Sequence, residues 1–229
     1  ARGPSPRVVE VAAMFGLGAD QSQTVDVVRP TAVTLRPGQL VFVTGASGSG
    51  KSTLLRLIAE ALDARRPPDV DVIDFAGLAP PPDRALIDAV DDGELPLDRA
   101  LRILSLAGLN DAFVMLRRPS ELSDGQRYRF QLARTMAKVE TASNAQGGPN
   151  SETDGAGFSV VLADEFGATL DRTTAAGVAR NVRRWVTPSA NICFVAATTH
   201  DDLLEPLAPD TLIEKHLGGG IDVVEAERE

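Results

Sequence analysis

Nine residues, Gly45-Ala46-Ser47-Gly48-Ser49-Gly50-Lys51-Ser52-Thr53, restrict this chain to few architectures. They satisfy the pattern G-x-x-x-x-G-K-[S/T], and both flanks are the ones it requires. An unbroken apolar run, Leu40 to Val43, leads in. A helical pattern with Leu54, Leu55, Ile58 and Leu62 on one side leads out. Strand, glycine turn and helix in this order form a phosphate-binding loop in an α/β protein. Glycines let the backbone turn so that successive N–H groups point inward at phosphate oxygens. The helix starting near Lys51 adds the positive end of its dipole.

The rest of the chain supplies the sheet around that loop. Val8 to Ala13, Val25 to Val28 and Thr31 to Leu35 read as short strands, with a glycine-rich turn at Gly16 to Gly18. Val70 to Phe75 is an alternating strand, followed by prolines at 80–82. Residues 83–117 show helical spacing, and Ser123 precedes another helix from about Asp124 to Val139. Val160 to Ala163 and Ile192 to Ala197 read as buried strands around a helix at Thr173 to Trp185, and Leu212 to Glu214 and Ile221 to Val224 close the pattern. This order predicts one α/β domain over 1–229: a mostly parallel core sheet, an N-terminal antiparallel β part and a helical subdomain insertion. The core is expected at 1–75 and 155–229, the helical subdomain at about 83–140, and a mobile loop at about 141–157, where the chain is polar and glycine-rich.

Composition narrows the function classes. The net charge is −9 and the pI near 4.8, which argues against a general nucleic-acid binder; a local basic patch is conceivable around Arg127, Arg129 and Arg134. A single cysteine, Cys193, excludes an internal disulfide and a cysteine-based zinc site. No apolar run has the length of a membrane span and the N-terminus has no signal-peptide pattern, so a cytoplasmic location is expected.

The phosphate loop predicts its own chemistry. Lys51 reaches the β- and γ-phosphates of a nucleoside triphosphate, and the Ser52 hydroxyl ligates Mg²⁺. Asp164 and Glu165 end an apolar strand, at the sheet edge where ligand groups gather. Behind a phosphate loop, Asp164 is the expected holder of Mg²⁺ and Glu165 the group that orients or deprotonates attacking water. His200 ends another buried strand and is a donor candidate for the γ-phosphate. His216 reads as a surface residue.

With these residues in place, the chain resembles an ATP-binding-cassette (ABC) ATPase over most of its length. Glu121-Leu122-Ser123-Asp124-Gly125-Gln126 is similar to the LSGGQ signature of that family. Glu165 to Asp171, EFGATLD, has the spacing of its Walker B to D-loop stretch. His200 falls at its switch histidine. The resemblance implies that Gly45, Ser47, Gly48, Ser49, Gly50, Lys51, Ser52 and Thr53 bind ATP·Mg²⁺, with Asp164 supporting the metal. It implies further that Glu165 is the general base, that His200 contacts the γ-phosphate, and that Asp171 communicates across a dimer. Ser123, Gly125 and Gln126, at a helix N-terminus, would complete the site of a second subunit, so that two ATP molecules are sandwiched in a homodimer. Phe15 is the candidate for stacking on adenine.

Three features depart from the family pattern. No glutamine occurs between Gln39 and Gln126, so the Q-loop glutamine is missing, and the expected place holds Ala-Gly-Leu-Ala-Pro-Pro-Pro-Asp. Asp124 replaces a glycine of the signature. The adenine-stacking aromatic is not specified by the pattern. A narrower resemblance, carried by LSDGQRYRFQLAR, LRILSLAGLNDAF and TTHDDLLEPLAPD, is to ABC-type ATPases found fused to a predicted acetyltransferase domain. The expectation is therefore a non-transport ATPase whose dimer cycle drives a partner or fused domain. The alternatives are the nucleotide-binding subunit of a membrane transporter, a DNA-repair or chromosome-associated ATPase, and an ATP-gated binding module without turnover.

Overall fold

Alternation within the strands explains how this chain builds a sheet buried on both faces. The computed structural model describes residues 4–18, 27–65, 70–145, 158–187 and 191–226. In strand β1 (Gln39–Thr44), Leu40 and Phe42 join one apolar cluster while Val41 and Val43 join a second on the opposite face. Strands β3 (Phe158–Ala163) and β4 (Ile192–Ala197) divide in the same way: Val161 and Phe194 on one side, Val160 and Val195 on the other. Such two-sided burial is the signature of parallel strands covered by crossover helices.

Together with β2 (Val70–Asp74), β5 (Thr211–Lys215) and β6 (Ile221–Glu225) these strands form a six-stranded sheet in the order β2-β3-β4-β1-β5-β6. The four pairings from β2 to β5 are parallel, and only β5–β6 is antiparallel. Helix α2 (Lys51–Arg65) covers one face through Leu54 and Leu55. Helix α7 (Arg172–Trp185) covers the other through Ala175, Val178, Ala179 and Val182. The apolar cluster under α7 continues into α3 (Leu86–Ala89), α4 (Leu97–Leu106), α5 (Ala112–Met115) and α6 (Asp124–Ala145), so the helical segment shares its core with the sheet. A short helix α8 (Leu204–Leu207) packs beside α7.

The N-terminal expectation is corrected. Val8 to Ala13 lies in a helix, α1 (Pro6–Met14), not a strand. Ser5 accepts the Val8 N–H at 3.4 Å and Pro6 occupies the first turn, where its missing N–H leaves nothing unpaired. These start signals override the strand preference of the valines. Thr31 to Leu35 forms no strand, and of Val25 to Val28 only Val27 and Val28 are described, in a bend. The antiparallel component is supplied by β6 at the C-terminus instead of an N-terminal β part among the described residues. Residues 83–117 form three separate short helices rather than a continuous block. Helix α6 continues to Ala145, into the stretch expected to be a loop; residues 146–157 lie outside the described residues.

One partly buried and one fully buried polar group pin the sheet. The Asp210 carboxylate accepts the Leu40 N–H at 2.8 Å and pairs with Arg183 of α7 at 2.8 Å, joining β1, β5 and α7. Lys215 is 1% exposed, and its ammonium donates to the carbonyls of His216 and Gly220 in the β5–β6 turn. Burial, and then the Arg29 charge, hold that ammonium below the ordinary lysine range.

Asp210→Ala is expected to lower stability by about 2 kcal/mol, since it strands a backbone donor and a half-buried guanidinium. A reduced urea midpoint at unchanged slope would show it. Burial also pushes the Cys193 thiol up to about 12. Cys193 should therefore resist alkylation at pH 8 in the native protein and react fully in denaturant, as followed by mass spectrometry.

Candidate functional site

Three parallel strands deliver the expected site residues to one edge of the sheet. β1 runs into the glycine loop, β3 into Asp164-Glu165, and β4 into Thr198-Thr199-His200. Beyond the strand ends the backbone ladder continues into the loops. Thr198 N–H donates to Val43 C=O at 3.0 Å, and Phe166 N–H donates to Ala197 C=O at 2.8 Å. The loops after β1, β4 and β3 are thus bonded in series.

The glycine loop has a backbone that only glycine tolerates. Gly45 has φ 139°, and a Cβ there would sit 2.1 Å from the Lys215 carbonyl oxygen. Ser47 and Gly48 are exposed, whereas Ser49 is buried and its hydroxyl has no hydrogen-bond partner among the described residues. Lys51, at the start of α2, donates to the carbonyls of Gly45 at 2.7 Å and Ala46 at 2.9 Å. Burial lowers the Lys51 pKa, while the charges of Asp164 and Asp201 oppose that shift. Asp164 therefore stands close enough to be felt by the loop lysine. Ser52 is exposed on the first turn of α2 and Thr53 is half-buried.

These residues fit a nucleotide with Mg²⁺. Among the described residues, an orphaned buried hydroxyl, a loop that excludes side chains and a lysine hydrogen-bonded to loop carbonyls are the features that phosphate oxygens would complete. Among the described residues no group of three or more His, Cys, Asp or Glu could hold a metal. That suits Mg²⁺, which binds through one or two protein oxygens plus phosphates and water.

Glu165 is exposed and carries φ 51°, in the left-handed region that glycine favours. Its N–H donates to the Asp164 carboxylate at 3.0 Å. His200 is half-buried, and its N–H donates to the Thr198 hydroxyl at 3.3 Å. Asp171 caps α7 by accepting from Thr174 N–H at 3.0 Å, and hydrogen bonds from Thr174 hold its carboxyl below the usual range.

Ser123 and Gln126 form a reciprocal capping box at the start of α6. Gln126 N–H donates to the Ser123 hydroxyl at 3.4 Å, and Ser123 N–H donates to the Gln126 side-chain oxygen at 3.1 Å. Gly125 lies beside Leu170; a Cβ there would be 3.5 Å from it. The three arginines that suggested a basic patch have internal partners: Arg127 with Asp124, Arg129 with the Gly108 carbonyl and Arg134 with the Ala79 carbonyl. His216 is exposed and paired with Asp222. Phe15 caps the C-terminus of α1 with 76% of its surface exposed.

Two site residues escape the sequence reading. Asp201 accepts a hydrogen bond from Thr44 at the end of β1 and acts electrostatically on Lys51. Tyr128 of α6 accepts the Gly167 N–H at 2.8 Å, two residues from Glu165. Asp201 follows His200 directly, and that adjacency was the only signal available.

Gly45→Ala should weaken nucleotide binding at least about tenfold, because a left-handed alanine with a 2.1 Å backbone clash forces the loop to move. Calorimetric titration with ADP, alongside an unchanged circular dichroism spectrum, checks this.

Known proteins resemble this chain in sequence and in fold. A sequence profile of the family described as ABC transporter matches residues 28–77. The aliphatic sulfonates import ATP-binding protein SsuB of Albidiferax ferrireducens is 38% identical over 127 residues, 48% of this chain and 44% of that protein. The lipoprotein-releasing system ATP-binding protein LolD of Novosphingobium aromaticivorans is 28% identical over 247 aligned positions, 94% of this chain and 97% of that protein. Among solved structures, the ATP-binding cassette MJ0796 bound to ADP and Pi, in a dimeric post-hydrolysis state, superposes with a TM-score of 0.59 at 17% identity, covering 89% of this chain and 92% of that one. A second dimeric MJ0796 structure gives a TM-score of 0.61 at 20% identity, with the same coverage. The chain shares the fold of these ATP-binding-cassette structures.

Proposed function

We propose that the chain is a Mg²⁺-dependent ATPase that works as an ATP-sandwiched homodimer and uses the cycle to drive a partner or fused domain. The observation that carries this reading is the convergence of Lys51, Asp164-Glu165 and His200 on one sheet edge, with Asp164 acting on the loop lysine. Lys51 and the loop amides hold the β- and γ-phosphates. Ser52 and Asp164 hold Mg²⁺, which neutralises phosphate charge when bound. Glu165 takes the proton of the attacking water, and His200 donates toward the γ-phosphate. Phe15, on its exposed helix end, is the proposed adenine-stacking residue.

The second half of each site comes from the other subunit. Ser123, Gly125 and Gln126 sit at the exposed N-terminus of α6, a 22-residue helix whose dipole favours an anion there. Asp171, exposed at the N-terminus of α7, is placed to sense the neighbour. That the solved relatives by fold are dimeric cassettes supports the same arrangement.

The non-transport reading rests on the segment after β2. It lacks a glutamine, and its backbone is held instead by Gln131 and Arg134 of α6, which donate to the carbonyls of Phe75 and Ala79. The fused acetyltransferase partner belongs to this same reading, through the sequence stretches quoted for it. A transporter subunit is the second reading, favoured by the names of the relatives, which are ATP-binding proteins of import and release systems. Among the described residues no helix is long and apolar enough to cross a membrane, so in a transporter the membrane-crossing part would lie outside these residues. Co-purification of a permease with the full-length protein would decide for transport. A cytoplasmic setting accompanies either reading.

Glu165→Gln should bind ATP, fail to hydrolyse it and elute at twice the monomer mass on a sizing column in saturating ATP. The wild type with ADP should elute as a monomer. A monomeric Glu165→Gln protein in ATP would refute the sandwich.

A further inference from the structure

The loop that carries Glu165 is held from two sides. Phe166 N–H donates to Ala197 C=O at 2.8 Å, which anchors the loop to the end of β4. Gly167 N–H donates to the Tyr128 hydroxyl at 2.8 Å, which anchors it to α6. Beside these anchors the chain takes left-handed backbone at Glu165, φ 51°, just before the first, and again at Gly167, φ 74°, at the second. A non-glycine residue keeps such a conformation only where its surroundings impose it. Within the loop, Glu165 N–H donates to the Asp164 carboxylate, Ala168 N–H to Glu165 C=O and Leu170 N–H to Gly167 C=O, all of them local. Among the described residues, the Tyr128 hydroxyl reaches this loop from the helical segment.

Tyr128 is well placed for that task. Its ring packs against Phe75 at the end of β2, centroids 5.1 Å apart, and against Phe166 at 6.4 Å. Burial raises its pKa well above the usual phenol range, so the hydroxyl remains protonated. One turn later on the same helix, Gln131 donates to the Phe75 carbonyl. Five residues earlier lies Ser123, whose capping box with Gln126 shapes the N-terminus of α6.

We infer that Tyr128 is a positioning residue: through Gly167 it sets the backbone at Glu165, and it ties that loop to the helix whose N-terminus faces the ATP of the second subunit. The second clause rests on the sandwich reading; the first does not. A shift of α6 on binding one nucleotide then moves the general base of the other site through a single hydrogen bond.

The test is Tyr128→Phe, which keeps the ring and removes only the oxygen. Expected is a fall in kcat of about tenfold, part of the roughly 10²–10⁴-fold that a positioned base contributes. The KM for ATP should stay within about twofold and the thermal midpoint within about two degrees, with ADP affinity unchanged. The cooperativity of hydrolysis in ATP should fall as well. A Tyr128→Phe, Glu165→Gln double variant should still dimerise in ATP, because Ser123 and Gln126 are untouched. Wild-type kcat in Tyr128→Phe overturns the positioning role. So does a loss of kcat that comes with a raised KM and a lowered midpoint, which would mark a merely structural tyrosine. If kcat falls alone but cooperativity is unchanged, the link between sites is overturned and the positioning of Glu165 stands. Failure of Glu165→Gln itself to dimerise removes the sandwich and the link together, and leaves the kcat-against-KM split to judge Tyr128.

Discussion

The site depends on the parallel register that sets β1 between β4 and β5, with β3 beyond β4. Val43 pairs with Ala197 across the first junction, and Ala163 with Ala196 across the second. Because these strands run the same way, their C-terminal ends open on one edge. The ladder bonds from Thr198 to Val43 and from Phe166 to Ala197 then carry the register into the loops. A register slip of one residue would exchange the two buried faces of each strand and is blocked by the core on both sides. The apolar interior thus fixes where a lysine, two carboxylates and a histidine meet.

Helix α6 is the second organiser. Its N-terminus displays the Ser123–Gln126 box, its first turns hold Tyr128 against the loop that carries Glu165, and Gln131 and Arg134 reach the segment after β2. Phe130, Leu132, Ala133 and Met136 bury it against the rest of the cluster. Each fully buried large side chain contributes about 2 kcal/mol, ample to hold the helix while Gln131 and Arg134 bond to the segment after β2. The helix therefore connects three functional loops as a rigid bar.

Much of this was legible beforehand. The glycine loop, the Asp164-Glu165 pair, the His200 strand end and the Ser123 cap are local patterns, readable because a few neighbouring residues determine them. The strand pattern held wherever the strand was buried on both faces, as in β1, β3 and β4. It failed at Val8 to Ala13, where valines suggest a strand but Ser5 and Pro6 start a helix with no buried residue. Among the described residues none packs over that segment deeply enough to bury it and select a strand. Asp201 and Tyr128 were not legible, since their partners Thr44 and Gly167 lie 157 and 39 residues away.

The sequence by itself determined the chemistry available: a backbone that accepts phosphate, a lysine beside it, carboxylates and a histidine at apolar strand ends. Glycine conformations, helix caps and two-residue alternation act over a few residues, so they are written locally. Only the tertiary structure decided which strand ends are neighbours, that Asp201 joins Asp164 around Lys51, and that α6 takes hold of the Glu165 loop. Those choices are made by long-range hydrogen bonds and the closing of the core, whose partners no local pattern specifies.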